Sequence, residues 1–81
     1  MMHPEELQKT LQQHFPNSEV VVEDTTGTFD HFQVLIVSPS FEGKTMVEQH
    51  QLVYKALGDL MKEAIHALAL KTYTPQQWKN S

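Results

Sequence analysis

The sequence predicts an α+β fold, in which helices pack on one face of a mixed three-stranded sheet. Two β-like segments are separated by a short turn, and strands joined in this way pair antiparallel. A long helical segment then leads to a third β-like segment, and such a crossover is right-handed and makes the last two strands parallel. The 81 residues are enough for one domain, which we expect to span residues 1–81.

The first element is a helix that begins at Pro4. Proline suits the first helical position, and the two glutamates that follow it lie where the helix dipole favours acidic side chains. Apolar side chains recur at four-residue intervals on one face of this helix: Leu7, Leu11 and Phe15. Pro16 is expected to end the helix, because proline cannot continue the backbone hydrogen bonding.

Two strands are expected next. The segment SEVVVEDTT alternates, so that Val20 and Val22 share one face of a half-buried strand. The segment TGTFD is a turn, in which Gly27 supplies the backbone freedom. In the segment HFQVLIVS, three apolar side chains share one face: Phe32, Val34 and Ile36. Leu35 and Val37 make the opposite face apolar as well, which indicates the central strand of the sheet.

A long second helix follows a loop over residues 39–44. Thr45 and Glu48 have the spacing of a capping box, which fixes the beginning of this helix. Gly58 is expected either to end the helix or to bend it. The apolar stripe that we expect to face the core comprises Val47, His50, Tyr54, Leu57 and Met61, flanked by Val53 and Leu60.

The segment HALALKTY predicts the third strand. One face of it carries three side chains: His66, Leu68 and Leu70. Thr74 and Gln77 then form another capping box, with Pro75 at the first helical position, and this pattern predicts a short C-terminal helix that carries Trp78.

Composition excludes several kinds of site and partner. The chain has no cysteine, so it can form neither a disulfide nor a catalytic thiol site, nor hold a Cys-ligated cluster alone. Its net charge is −4 and all six basic residues are lysines, which suits phosphate backbones poorly. No basic segment followed by an apolar run marks a signal peptide, and no apolar run could span a membrane. We therefore expect a cytoplasmic protein.

The histidines carry nearly all the site chemistry that the sequence offers. His50 lies within the apolar stripe, so we interpret it as a buried or half-buried core histidine with a hydrogen-bond partner. His66 begins the third strand, where a structural role and a metal-ligand role both remain open. His31 begins the second strand, and parallel pairing would bring it to the same end of the sheet as His66. Asp30 is interpreted as a solvated acid near the turn.

The chain resembles the BolA family over nearly its whole length. The resemblance lies in the segments DHFQVLIVS, FEGK at residues 41–44, IHAL at residues 65–68 and KTYTPQQW at residues 71–78, together with Val47, His50, Val53, Tyr54 and Leu57. The brief turn between the first two strands makes the chain more similar to the IbaG-type branch than to BolA itself. The resemblance implies a class II KH-like fold, which agrees with the order α-β-β-α-β-α derived above.

The resemblance also implies a partner and a cofactor. Proteins of this family pair with monothiol glutaredoxins and share a [2Fe-2S] cluster, to which the glutaredoxin contributes a cysteine and a bound glutathione contributes its thiol. The histidine of the IHAL motif, here His66, is implied as one metal ligand. A second ligand comes from the region between the first two strands, where His31 is the only candidate.

The function implied is that of a non-enzymatic partner of glutaredoxins in iron–sulfur cluster assembly or trafficking, or in iron regulation. Consistent with this, the sequence marks no nucleophile with a general base and no metal triad, so we do not expect an enzyme. The sequence leaves open whether the apoprotein is a monomer or a homodimer.

The alternative function is a nucleic-acid-binding transcriptional regulator that uses the KH-like surface. The family is also discussed in this role, and it commonly carries arginines on both sides of the helix histidine. Here these positions are Gln49 and Gln51, and glutamine lacks the charge that contacts to phosphate require. We therefore expect nucleic-acid binding to be weak or absent.

Overall fold

The structure, a computed structural model, describes residues 2–80 and has the predicted order of strands. The elements are α1 (Pro4–His14), β1 (Glu19–Asp24), β2 (His31–Val37), a 3-10 turn (Pro39–Phe41), α2 (Met46–Leu57), α3 (Leu60–Glu63), β3 (Ala67–Tyr73) and α4 (Pro75–Lys79). The sheet order is β1-β2-β3, with β1 antiparallel and β3 parallel to the central β2. The predicted α+β fold with a mixed three-stranded sheet is therefore confirmed.

The core lies between one face of the sheet and the helices α1 and α2. The alternate residues of β2 that the sequence assigns to the core are all buried: Phe32, Val34 and Ile36. They pack with Leu7 and Leu11 from α1 and with Val53 and Leu57 from α2. On the opposite face, at the end of β3, the ring of Tyr73 lies 5.3 Å from that of Trp78 in α4. This face is more open, since Val21 is 47% exposed.

The ends of α2 follow the predicted signals. The Thr45 hydroxyl accepts a hydrogen bond from the Glu48 N–H, and the Glu48 carboxylate accepts one from the Thr45 N–H. Gly58, at a positive φ of 53°, ends the helix, and the chain turns into the separate short helix α3. Among residues 2–80, no helix combines the length and the apolar composition that a bilayer crossing needs.

The buried face of α2 differs from the predicted one. Val47 is 66% exposed and Tyr54 is 41% exposed, whereas the buried side chains of the helix are Gln49, Val53 and Leu57. The predicted stripe is right at Leu57 and at the flanking Val53, but it is wrong at Val47 and Tyr54, and it leaves out the buried Gln49. His50 is half-buried, but among the described residues its ring has no hydrogen-bond partner, so that part of its interpretation was also wrong.

Gln49 can be buried because both ends of its amide are hydrogen-bonded. Its Nε2 donates to the Lys44 carbonyl at 3.1 Å, and its Oε1 accepts from the Thr72 hydroxyl of β3 at 2.8 Å. A buried amide without such partners would cost free energy on folding. The side chain therefore ties the loop before α2 and the strand β3 to the helix, and it does not point to solvent as a nucleic-acid contact would.

Replacing Gln49 by alanine should lower the free energy of unfolding by about 1–3 kcal/mol, because the buried Thr72 hydroxyl loses its acceptor. Urea denaturation followed by circular dichroism measures this loss. The matched control is Gln51→Ala, since Gln51 lies on the exposed side of the same helix and should change stability by about 0.5 kcal/mol or less. Equal effects of the two substitutions would show that the buried network does not stabilise the fold.

Candidate metal centre

His31 and His66 lie side by side at one end of the sheet. His31 is the first residue of β2 and pairs with Ala67, the first residue of the parallel strand β3. His66 immediately precedes Ala67, and the centroids of the two histidine rings are 5.0 Å apart with an angle of 55° between the ring planes. The sequence-based expectation that parallel pairing brings these two histidines together is therefore confirmed, although their role as metal ligands stays a prediction.

His66 presents its ring to the outside. The residue is exposed, whereas Ile65 before it is 3% exposed and anchors the segment in the core. Neither ring nitrogen of His66 has a hydrogen-bond partner within residues 2–80, and the ring contacts that of His31. Both nitrogens are thus available to a ligand or to another molecule.

The backbone of His66 is fixed although its side chain is exposed. Its N–H donates a 2.7 Å hydrogen bond to the carbonyl of Asp30, and the N–H of Ala67 donates a second bond of 3.1 Å to the same oxygen. These bonds join the beginning of β3 to the end of the β1–β2 loop, so the position of one histidine depends on the segment that carries the other.

His31 is half-buried, with 34% of its side chain exposed. Its Nδ1 lies 2.8 Å from Oδ1 of Asp30, whose carboxylate also accepts a hydrogen bond from the Thr28 hydroxyl. The bond from Thr28, followed by the one from His31, lowers the pKa of Asp30 below its ordinary value. The side chain of Asp30 is 38% exposed, which agrees with the predicted solvated acid, but its carboxylate also bonds the side chains of Thr28 and His31.

The β1–β2 loop that carries these residues is held by Asp24. One carboxylate oxygen of Asp24 accepts hydrogen bonds from the N–H groups of Thr26 and Gly27, and the other accepts one from Phe29. The Phe29 carbonyl in turn accepts a 2.9 Å bond from the N–H of Met2. The loop residues that precede His31 are therefore held by hydrogen bonds to Asp24 and to Met2.

An open depression of about 370 Å³ adjoins His66. Its lining includes Thr28, Asp30 and His66 on one side and Lys62 and Glu63 of α3 on the other. The break at Gly58 creates α3 and so places these charged side chains beside the site. The depression leaves room for groups from a second molecule next to the exposed imidazole.

The donor set of the site consists of two imidazoles. Within residues 2–80, no group of three or more histidine, aspartate or glutamate side chains is arranged to hold a metal ion. The other histidines lie elsewhere: His50 is in the middle of α2, His14 ends α1, and the ring of His3 packs against that of Phe29 at 4.8 Å. The described residues thus bring two imidazoles to one place, and a four-ligand metal site there would need further ligands from a second molecule.

Asp30 is the site residue whose contribution sequence reasoning missed. Its place directly before His31 was visible in the sequence, and an acid beside a histidine at a strand start is a usable signal. Its bond to the backbone of His66 was not visible, because it depends on the register between β2 and β3.

Comparisons with known proteins identify relatives over almost the whole chain. Residues 3–77 match the family model for BolA-like proteins. BolA-like protein 2 of Mus musculus is 42% identical over 74 residues, which are 89% of this chain and 85% of that protein. The DNA-binding transcriptional regulator BolA of Haemophilus influenzae is 36% identical over 78 residues, 93% of this chain and 76% of that protein.

The fold agrees with solved structures as well. The structure of a bolA protein homologue from Coxiella burnetii has a TM-score of 0.82 and 38% identity to this chain, and the match covers 98% of this chain and 99% of that one. The similarity to the IbaG-type branch stays a prediction. The family model, the relatives and the shared fold agree, and the chain belongs to the BolA-like family.

Proposed function

We propose that this protein is a non-enzymatic, cytoplasmic partner of monothiol glutaredoxins, with which it shares a bridging [2Fe-2S] cluster. It would act in the assembly or trafficking of iron–sulfur clusters or in iron regulation. The observation that carries this proposal is the pair of adjacent imidazoles, one of them exposed and without hydrogen bonds among the described residues, in a chain without cysteine.

The two histidines fit such a cluster. A [2Fe-2S] cluster takes four terminal ligands, and two histidines can replace two cysteines on one of its irons. Two imidazoles on one tetrahedral metal, at metal–nitrogen distances of about 2.1 Å, have ring centroids about 5 Å apart. The separation of 5.0 Å between the rings of His31 and His66 is compatible with this arrangement. The glutaredoxin cysteine and the glutathione thiol would supply the other two ligands.

The chain's own residues determine how the cluster would be held. The exposed ring of His66 can reach iron that belongs to another protein, while the half-buried ring of His31 is held in place by Asp30. When bound, the cluster supplies a redox-active di-iron centre, whose reduction potential rises when neutral imidazole replaces thiolate. The depression lined by Lys62 and Glu63 leaves space for the glutathione or for the partner's backbone.

Anaerobic mixing of the apoprotein with a cluster-loaded monothiol glutaredoxin tests this proposal. We expect a stable heterodimer that contains two irons and whose visible circular dichroism differs from that of the glutaredoxin alone, because the cluster has changed ligands. Size-exclusion chromatography with iron analysis gives the stoichiometry. An unchanged spectrum, with all the iron eluting with the glutaredoxin, would contradict the proposal.

A second candidate function is the binding of nucleic acid as a transcriptional regulator. It is favoured by one observation: the relative from Haemophilus influenzae carries the name of a DNA-binding transcriptional regulator. The chain itself argues against strong binding, because it has a net charge of −4 and no arginine, and because the side chain of Gln49 is buried. Neutralisation of phosphates is the main source of such affinity.

A salt series separates the two functions. If the chain bound DNA through its lysines, fluorescence anisotropy with a labelled duplex would show an affinity that falls steeply between low and physiological salt. We expect no saturable binding at low salt, and this result would remove the second candidate. Saturable binding that weakens as salt is added would reinstate it.

A further inference from the structure

We propose that Asp30 is the positioning residue of the metal centre: its carboxylate orients the His31 ring, and its carbonyl fixes the backbone that carries His66. This inference rests on the proposed function. The side chain and the main chain of Asp30 thus act on different histidines, and the bond to His31 leaves Nε2 of that ring for the metal.

The carboxylate selects the tautomer of His31. An aspartate carboxylate is ionised at neutral pH, and an ionised carboxylate only accepts hydrogen bonds. Because Nδ1 of His31 lies 2.8 Å from Oδ1 of Asp30, this nitrogen must carry the proton and donate it. The lone pair of the neutral ring is then on Nε2, which becomes the metal-binding nitrogen.

The carboxylate is itself held in place. The Thr28 hydroxyl donates to the same oxygen, Oδ1, that accepts from His31. The Asp24 carboxylate orders the loop that contains Thr28 through its bonds to Thr26 and Gly27. The orientation of the His31 ring thus depends on a chain of contacts within the β1–β2 loop.

The carbonyl of Asp30 controls the second ligand. It accepts hydrogen bonds from the N–H groups of both His66 and Ala67, at 2.7 and 3.1 Å. These bonds join the beginnings of β2 and β3, and they hold the backbone from which the ring of His66 lies 5.0 Å from that of His31. Since a side-chain substitution at position 30 leaves the carbonyl unchanged, the two contributions can be separated experimentally.

Histidine ligands commonly donate their second ring N–H to a carboxylate, and removal of that carboxylate typically weakens metal binding about 10–100-fold. In Asp30→Ala the backbone bonds to His66 persist while the His31 ring loses its acceptor. We therefore expect a variant that folds normally but holds the His31 ring in the wrong tautomer or in several orientations.

The first test reads the tautomer in the apoprotein and needs no cluster. Long-range ¹⁵N–¹H correlation spectra, recorded at about pH 8.5 where imidazoles are neutral, distinguish a protonated Nδ1 from a protonated Nε2. Wild type and the control Glu23→Ala, which removes an exposed acid of β1, should show His31 protonated at Nδ1. Asp30→Ala should shift the population to the Nε2–H form. A His31 spectrum that is the same in Asp30→Ala as in wild type would overturn the proposal.

The second test measures the lifetime of the cluster in the complex with a monothiol glutaredoxin. We expect Asp30→Ala to shorten it about 10–100-fold relative to wild type and to Glu23→Ala. A tautomer shift without any loss of lifetime would overturn the positioning role. If wild type itself acquires no cluster, the proposed function fails, whereas the tautomer spectra still decide whether Asp30 orients His31.

Discussion

Replacing His66 by alanine should abolish the shared cluster. The ring of His66 is exposed and, among residues 2–80, makes no hydrogen bond, so in the proposed complex it is the imidazole that a second protein would reach first. Its loss removes one of the four ligands that a [2Fe-2S] cluster needs. Visible circular dichroism of the mixture with cluster-loaded glutaredoxin should then match that of the glutaredoxin alone.

The same substitution should leave the fold intact. An exposed side chain without hydrogen bonds contributes little to folding, so the free energy of unfolding should change by about 0.5 kcal/mol or less. His14→Ala is the matched control, because His14 is an exposed histidine at the end of α1 and is not part of the site. A His66→Ala complex with the wild-type spectrum and lifetime would contradict the ligand assignment.

Replacing Phe41 by alanine should remove most of the protein's free energy of unfolding. Phe41 ends the 3-10 turn, is 0% exposed, and packs its ring 5.3 Å from that of Phe15 after α1. Truncation of a buried phenylalanine costs about 3–5 kcal/mol, because apolar contacts are lost and a cavity remains. A domain of this size is stabilised by only about 5 kcal/mol, so little margin would be left.

Urea denaturation of the Phe41→Ala variant measures this effect. Val47→Ala is the control, since the sequence pattern places Val47 in the core whereas the structure exposes 66% of it. We expect the Val47 variant to lose about 0.5 kcal/mol or less. A loss of several kcal/mol at Val47, or none at Phe41, would mean that the core is not where the structure places it.

Most of the fold could be predicted from the sequence, because several of its signals are local and agree with one another. The capping boxes at Thr45 and Thr74 and the prolines at helix beginnings give the helix boundaries, and alternation gives the strands. The face of α2 that is buried could not be predicted in this way. It depends on Gln49, a polar residue that is buried because Lys44 and Thr72 satisfy its amide, and Thr72 lies 23 residues away in the sequence.

The candidate site was predictable in part for a similar reason. Parallel pairing of two strands follows from the β-α-β order, and it brings the residues at the strand beginnings, His31 and His66, to one edge of the sheet. The 5.0 Å separation between the rings and the hydrogen bonds of Asp30 could not be predicted, because they depend on the strand register and on the loop conformation. The break of the helix at Gly58 could be predicted from the sequence. The depression beside His66 could not, because it forms only when α3 packs next to the β1–β2 loop.

The most direct test of the central claim is pulsed electron paramagnetic resonance of the reduced complex, in which this chain alone carries ¹⁵N. Strong hyperfine coupling identifies nitrogens that bind iron. We expect two strongly coupled ¹⁵N nuclei, one from the imidazole of His66 and one from that of His31. A reduced cluster without any strongly coupled ¹⁵N would show that no imidazole of this protein binds the iron, and the proposed function would be contradicted.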